Sequence, residues 1–139
     1  MAVFLNNKVG LKINNVDLSD HVTAITLNQV FDELEISAMG DTSRKYVKGL
    51  ETATLTVSFL NDQSTGEVLE TLQSAYGTTV AWKAINDSGS SVSSQNELYS
   101  GDILINNLTP LNGGVGDLST MDITFTVNSA VTVADTGTF

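Results

Sequence analysis

Residues Thr52 to Leu60 alternate without a break: Ala53, Leu55, Val57 and Phe59 point one way, Thr52, Thr54, Thr56 and Ser58 the other. This period of two predicts a strand with one covered face. The strand has no charge, proline or glycine, the devices that keep a sheet edge from pairing with another chain. It is therefore expected to lie inside its own sheet or to be used by a neighbouring subunit. Thr120 to Val127 repeats the pattern, with Met121, Ile123, Phe125 and Val127 opposite Asp122, Thr124 and Thr126. Shorter alternations predict strands at Lys8–Asn14, at His21–Val30, where Val22 and Val30 fall out of phase, and at Thr78–Ile85, which holds the sole tryptophan, Trp82. Another is predicted at Leu98–Leu108, where a phase change at Gly101–Asp102 points to a bulge.

One segment changes period. Over Thr65–Tyr76, Val68, Leu69, Leu72, Ala75 and Tyr76 form a helical stripe, Ser64 and Glu67 have capping-box spacing, and Gly77 supplies a stop. Val16–Asp20 reads as a connection and Asn86–Gln95 as a mobile polar loop. The tail Asn128–Phe139, with a short apolar run at Ala130–Ala134, is expected to order only in an assembly. Glu35–Leu50 reads as a loop-like arm carrying Met39, Gly40, Tyr46 and Gly49 beside Arg44, Lys45 and Lys48. The pattern predicts a mainly β fold: an antiparallel β-sandwich or partly closed barrel with one flanking α-helix.

At 139 residues the chain is expected to be one domain, able to bury roughly two-thirds of its extended surface. It has no cysteine, which removes disulfides, thiolate metal sites and cysteine nucleophiles. Sixteen acidic against six basic residues give a formal charge of −10, so affinity for nucleic acid through phosphate neutralisation is not expected. Copies of such a chain also repel one another, and self-association needs apolar or backbone pairing at short range. The start, MAVFLNNK, has neither the basic region nor the long apolar core of a signal peptide or membrane span.

Catalytic patterns are wanting. His21, the only histidine, follows Asp20 without an evident orienting partner and reads as a surface residue at a strand start. Asp32 and Glu33 are adjacent and diverge on a strand, so with Glu35 they read as solvated acids rather than an acid–base pair. Asp17, Ser19 and Asp20 begin like a calcium loop but lack its glycine and distal glutamate. Gly113, Gly114 and Gly116 precede a strand, not a helix, so they make a turn and not a phosphate cradle. The glycosylation sequons at Asn86 and Asn107 are of the kind that chance produces, and the second is followed closely by Pro110. No enzyme activity, metal or cofactor is expected. The basic triplet reads either as solvated charge or as a partner for Asp32, Glu33, Glu35, Glu67 or Glu70 of a neighbouring copy.

The run GDTSRKYVKGLE leading into the Thr-rich strand, then STGEVLETLQSAYG and TTVAWKAI, resembles the major tail tube proteins of long-tailed, siphovirus-like bacteriophages over roughly Val22 to Ile85. The resemblance implies a single tail-tube domain over residues 1–139, with arm 35–50 and tail 128–139. It implies six copies closing into rings, and rings stacking into a tube that conducts double-stranded DNA without binding it. Tape measure, tail terminator and tail tip proteins would be further partners; assembly would occur in the host bacterial cytoplasm without membrane insertion, and the product would be part of the virion. Tubes of contractile tails and secretion systems are related. In this reading Met39, Arg44, Lys45, Tyr46, Lys48 and Leu50 form the contact arm between subunits or rings. The strands containing Ile25, Leu55, Ile103 and Ile123 form the inner sheet, and Thr52, Thr54, Thr56, Ser58, Asp122, Thr124 and Thr126 are candidates for the lumen wall. A register slip of one residue would exchange that wall with the core. The alternative from another class is a monomeric sandwich binding carbohydrate or a cell surface through Trp82, Tyr76 and Tyr99; an acid-pair hydrolase has less support.

Overall fold

A computed structural model describes residues 8–139; the reading of the chain start as free of a signal peptide or span concerns residues 1–7 and lies outside them. Eight strands and one helix follow in order: β1 (Gly10–Ile13), β2 (Val16–Asp17), β3 (Val22–Glu35), β4 (Tyr46–Leu60), α1 (Val68–Ser74), β5 (Thr79–Ile85), β6 (Leu98–Leu104), β7 (Thr120–Val127) and β8 (Thr132–Ala134). All strand pairs are antiparallel, in one open sheet ordered β2-β1-β5-β6-β7-β4-β3, with β8 added on β6. The β class and flanking helix are as the alternation predicts, realised as a single sheet rather than two. The sheet curls enough for Ile25 and Leu27 of marginal β3 to line a groove together with Ala84, Ile85 and Tyr99.

The core forms on the face that the alternation marks apolar. Ala53, Leu55, Val57 and Phe59 of β4 and Met121, Ile123, Phe125 and Val127 of β7 are buried, and Val68, Leu69, Leu72 and Ala75 close over them in the same cluster. Each large aliphatic or aromatic side chain so buried contributes about 1.5–3 kcal/mol of transfer free energy. The helix is shorter than the stripe predicts. Gly66 has φ +80°, a left-handed conformation that breaks the first turn; Glu67 is the N-cap and makes no side-chain capping bond. Ser64 instead gives its N–H to Asp62 Oδ1 at 2.8 Å. Gly77, at φ +81°, ends the segment as expected, leaving Tyr76 exposed rather than in the stripe.

Of the two alternatives for the Thr52–Leu60 strand, the structure realises the first, a place inside its own sheet. β4 lies between β3 and β7, and β7 pairs with β4 along its length and with β6 at Ile103↔Val127 and Leu104↔Thr126. The lack of charge over Thr52–Leu60 thus fits a place inside the sheet, whereas β7, which carries Asp122, has β6 beside it only at its last two residues. The sheet's long margin is β3, whose outer edge has no strand partner among the described residues. Its phase breaks are register shifts at Val22/Ala24 and Phe31/Glu33.

Three further expectations change. The Gly101–Asp102 phase change is no bulge against β5, where pairing runs unbroken. It is where β6 exchanges one neighbour for another, β8 pairing Leu98–Ser100 and β7 pairing Ile103–Leu104. The polar loop after β5 is tied down by Asn96, whose amide contacts Asp87 N and O at 3.1 and 3.0 Å and Ser91 O at 3.2 Å. The tail orders within the chain through β8, and Lys12 Nζ donates to Phe139 O at 2.9 Å while lying over its ring. Among the described residues no helix is long and apolar enough to cross a membrane.

Candidate functional site: an apolar hairpin and a hydroxyl-lined face

The segment expected as a loop-like arm is mostly hairpin. Cross-strand pairing continues through Glu33↔Lys48, Leu34↔Val47 and Glu35↔Tyr46, so Tyr46 to Leu50 belong to β4 and only residues 36–45 form the connection. That connection is ordered by its own short polar residues. Ala38 N–H donates to Asp41 Oδ2 at 2.8 Å, Asp41 N–H to Ala38 O at 3.1 Å and Lys45 N–H to Ser37 Oγ at 2.8 Å. Gly40, at φ +96°, takes the left-handed position of the turn. The hydrogen bond from Ala38 and then the Lys45 ammonium hold the Asp41 carboxyl below its ordinary pKa.

β7 reaches no farther along β4 than Thr54↔Thr126, so among the described residues the distal hairpin is two strands only. Such a ribbon is marginal in water by itself. Yet Val30, Phe31, Leu34, Ile36, Met39, Tyr46, Val47 and Leu50 are all substantially exposed on it, Leu50 at 81% and Met39 fully. Of the arm residues singled out by sequence, Met39, Tyr46 and Leu50 thus belong to a larger apolar surface. The missed members Phe31, Leu34 and Ile36 were signalled by the apolar positions within FDELEIS. The basic triplet divides: Lys45 pairs with Asp41 at 3.2 Å, Lys48 lies 4.8 Å from the Phe31 ring centroid, and Arg44 makes no ion pair among the described residues.

The seven candidate wall residues share the face opposite the core. Thr54 stands opposite Thr126, Thr56 opposite Thr124 and Ser58 opposite Asp122, and the Thr56 and Thr124 hydroxyls bond at 3.0 Å. From Ala53 onward the residues between them are buried on the other side, whereas Glu51, before Thr52, is exposed. β3 extends this face, with Ala24, Thr26, Asn28 and Val30 opposite Ser58, Thr56, Thr54 and Thr52. The alternation puts Ala24, Thr26 and Asn28 on the polar side of an inner-sheet strand, but not among the wall candidates, because register between strands is not legible in either strand alone.

Of the aromatic platform, Trp82 is buried in the core and Tyr99 half-buried, so Tyr76 stands exposed without them. His21 is not a surface residue at a strand start. It lies in a 3-10 turn, Ser19–His21, its ring only 16% exposed, with Nδ1 at 2.8 Å from Asp20 and 3.3 Å from Glu67 and Nε2 at 2.9 Å from Asp62. Burial works against its charge, but the bonds to Asp20 and Asp62 and the nearby Asp20 and Glu67 charges outweigh it and raise the imidazole pKa.

No family model and no curated protein matches this chain. Solved structures do match in fold. A chain of the virion of a native gene transfer agent particle aligns with TM-score 0.76 at 10% identity, over 95% of this chain and 99% of that one. A chain of the tail of an empty gene transfer agent particle, refined helically with C6 symmetry, aligns with TM-score 0.67 at 11% identity over 82% of both. At these identities the likeness defines a shared fold, an open antiparallel sheet with one helix.

Proposed function

We propose that this chain is a structural, non-catalytic subunit of a phage-like tail tube, closing as rings of six copies that stack around a bore for double-stranded DNA. The observation that carries the reading is the distal β3–β4 hairpin, two strands with apolar side chains left exposed and no covering element among the described residues. Exposed apolar surface of this extent marks an interaction site, and the free outer edge of β3 adds backbone groups for a neighbouring copy to pair. The fold likeness to chains of a gene transfer agent virion and of a C6-symmetric tail supports the choice of assembly.

In this reading Met39, Arg44, Lys45, Tyr46, Lys48 and Leu50 make the contacts between subunits or rings. Thr52, Thr54, Thr56, Ser58, Asp122, Thr124 and Thr126 line the bore, where hydroxyls and a carboxylate give phosphates nothing cationic to hold. Tape measure, terminator and tip proteins would meet the ends of such a tube, and its place would be the virion. Negative-stain microscopy of the purified chain tests the proposal: rings or tubes are expected, and a monomer that stays dispersed at high concentration overturns it.

A further inference from the structure

We propose that the turn between β6 and β7 is the receiving surface for the β3–β4 hairpin tip of a second copy, so that copies join head to tail. The inference rests on the assembly reading above and names the surface which that reading leaves open.

The two surfaces lie at opposite ends of one strand. β4 starts at the hairpin with Tyr46, opposite Glu35, and ends at Leu60, opposite Thr120 at the start of β7. Its fifteen residues span about 50 Å at about 3.3 Å per residue. Past Leu60, Asn61 N–H donates to Ser119 O at 3.1 Å, and Asn112 Nδ2 donates to Thr120 O at 2.9 Å. These bonds pin both ends of the turn 112–119 at the far end of the strand. Within it, Gly114 N–H donates to Asp117 Oδ2 and Asp117 N–H to Gly114 O, both at 3.1 Å. Leu111, just before this turn, and Val115 and Leu118 on it are largely or fully exposed. Pro110 also lines a shallow groove with Gln73, Tyr76 and Leu108. The chain thus exposes apolar side chains at both ends of the same strand, and each surface needs a cover from outside.

Charge selects unlike pairing over like. The tip, residues 36–45, carries Arg44 and Lys45 against Asp41, while residues 106–119 carry Asp117 and no base. The adjoining far-end residues 61–76 add Asp62, Glu67 and Glu70, again with no Lys or Arg. Among the described residues Arg44 has no ion pair, and Asp117 meets no lysine or arginine. Tip against tip or turn against turn brings like charges together; tip against turn brings Arg44 toward Asp117. That single pair gives the contact its direction, and its area comes from Ile36 and Met39 set against Leu111, Val115 and Leu118. A contact between unlike surfaces at opposite ends is heterologous, so it repeats from copy to copy instead of stopping at a dimer.

The chain has no cysteine, so single ones report contacts cleanly. Chains with Met39→Cys and chains with Val115→Cys, both at fully exposed positions, are mixed, allowed to assemble and treated with a short bis-maleimide. A 39–115 product between chains is expected. Predominance of 39–39 or 115–115, or no product from particles that do assemble, overturns the proposal. In parallel, Val115→Lys combined with Leu118→Lys removes apolar surface while making the chain less acidic, so lost assembly cannot come from added repulsion. Loss of assembly is expected, with an unchanged denaturation midpoint; should the midpoint fall, the cysteine pairing decides alone. Normal assembly of this variant overturns the receiving surface and leaves the tube reading standing, whereas a wild type that stays monomeric overturns both.

Discussion

Gly101 carries a constraint that its place in mid-strand hides. A Cβ there would lie 3.0 Å from Ser129 Oγ and 3.2 Å from Trp82 Nε1. It would press on the buried tryptophan and on the serine whose hydroxyl accepts the Asp102 N–H at 2.9 Å. Gly101→Val is therefore expected to cost about 1–3 kcal/mol by overpacking, read as a lowered midpoint in chemical denaturation; an unchanged midpoint would show that the partner exchange on β6 tolerates bulk. Asp41 sets a second test. Its folded pKa lies below the ordinary 3.8, so its contribution to the hairpin tip is complete above the unfolded value and is lost as pH falls through the folded one. The Asp41 carboxyl should titrate below 3.8, with the Ala38 amide signal moving in step. A midpoint at or above the ordinary value contradicts the tip geometry. At this scale the sequence was least legible: His21 could not be read because Asp62 and Glu67 come to it only through folding, and Asn96 because its bonds organise a loop of unremarkable composition.

Elements were legible where one face is buried, since burial imprints a period. β4 from Ala53 to Leu60 and β7 show it, and the apolar side predicted for each is the side that is buried. Legibility failed where both faces are exposed. Beyond Ala53 the hairpin loses the alternation that marks a covered face, so its strands resemble a loop in sequence although the backbone pairing continues. The same reasoning separates two kinds of apolar residue on one strand. Phe59 is fully buried, and Phe59→Ala is expected to cost about 3–5 kcal/mol. Leu50 is 81% exposed, and Leu50→Asp should leave monomer stability within about 0.5 kcal/mol while abolishing self-association. Denaturation paired with sedimentation measures both; a Leu50→Asp chain that still assembles removes the hairpin from the interface.

For the whole molecule, the open question of sign lies between its net charge and its arm. A charge of −10 repels a second copy, and that repulsion is screened over about 10 Å at 0.1 M salt and about 3 Å at 1 M. Ion pairs between copies would be screened as well, so they would make assembly fall with salt. The structure weighs between the two, because Lys45 already holds Asp41 and Lys48 already faces the Phe31 ring, leaving Arg44 as the member of the triplet with neither an ion pair nor a ring contact among the described residues. Repulsion should therefore dominate, and light scattering is expected to rise as ionic strength is increased. Reversing Arg44, Lys45 and Lys48 to Glu adds repulsion and removes the tip contact of Lys45 together, so this variant should stay monomeric at low salt with its core intact. Scattering that falls with salt in the wild type would instead place the basic triplet in direct pairs across the interface. Normal assembly of the reversed variant would take the arm out of the contact altogether, since neither its charge nor its tip geometry would then matter to association.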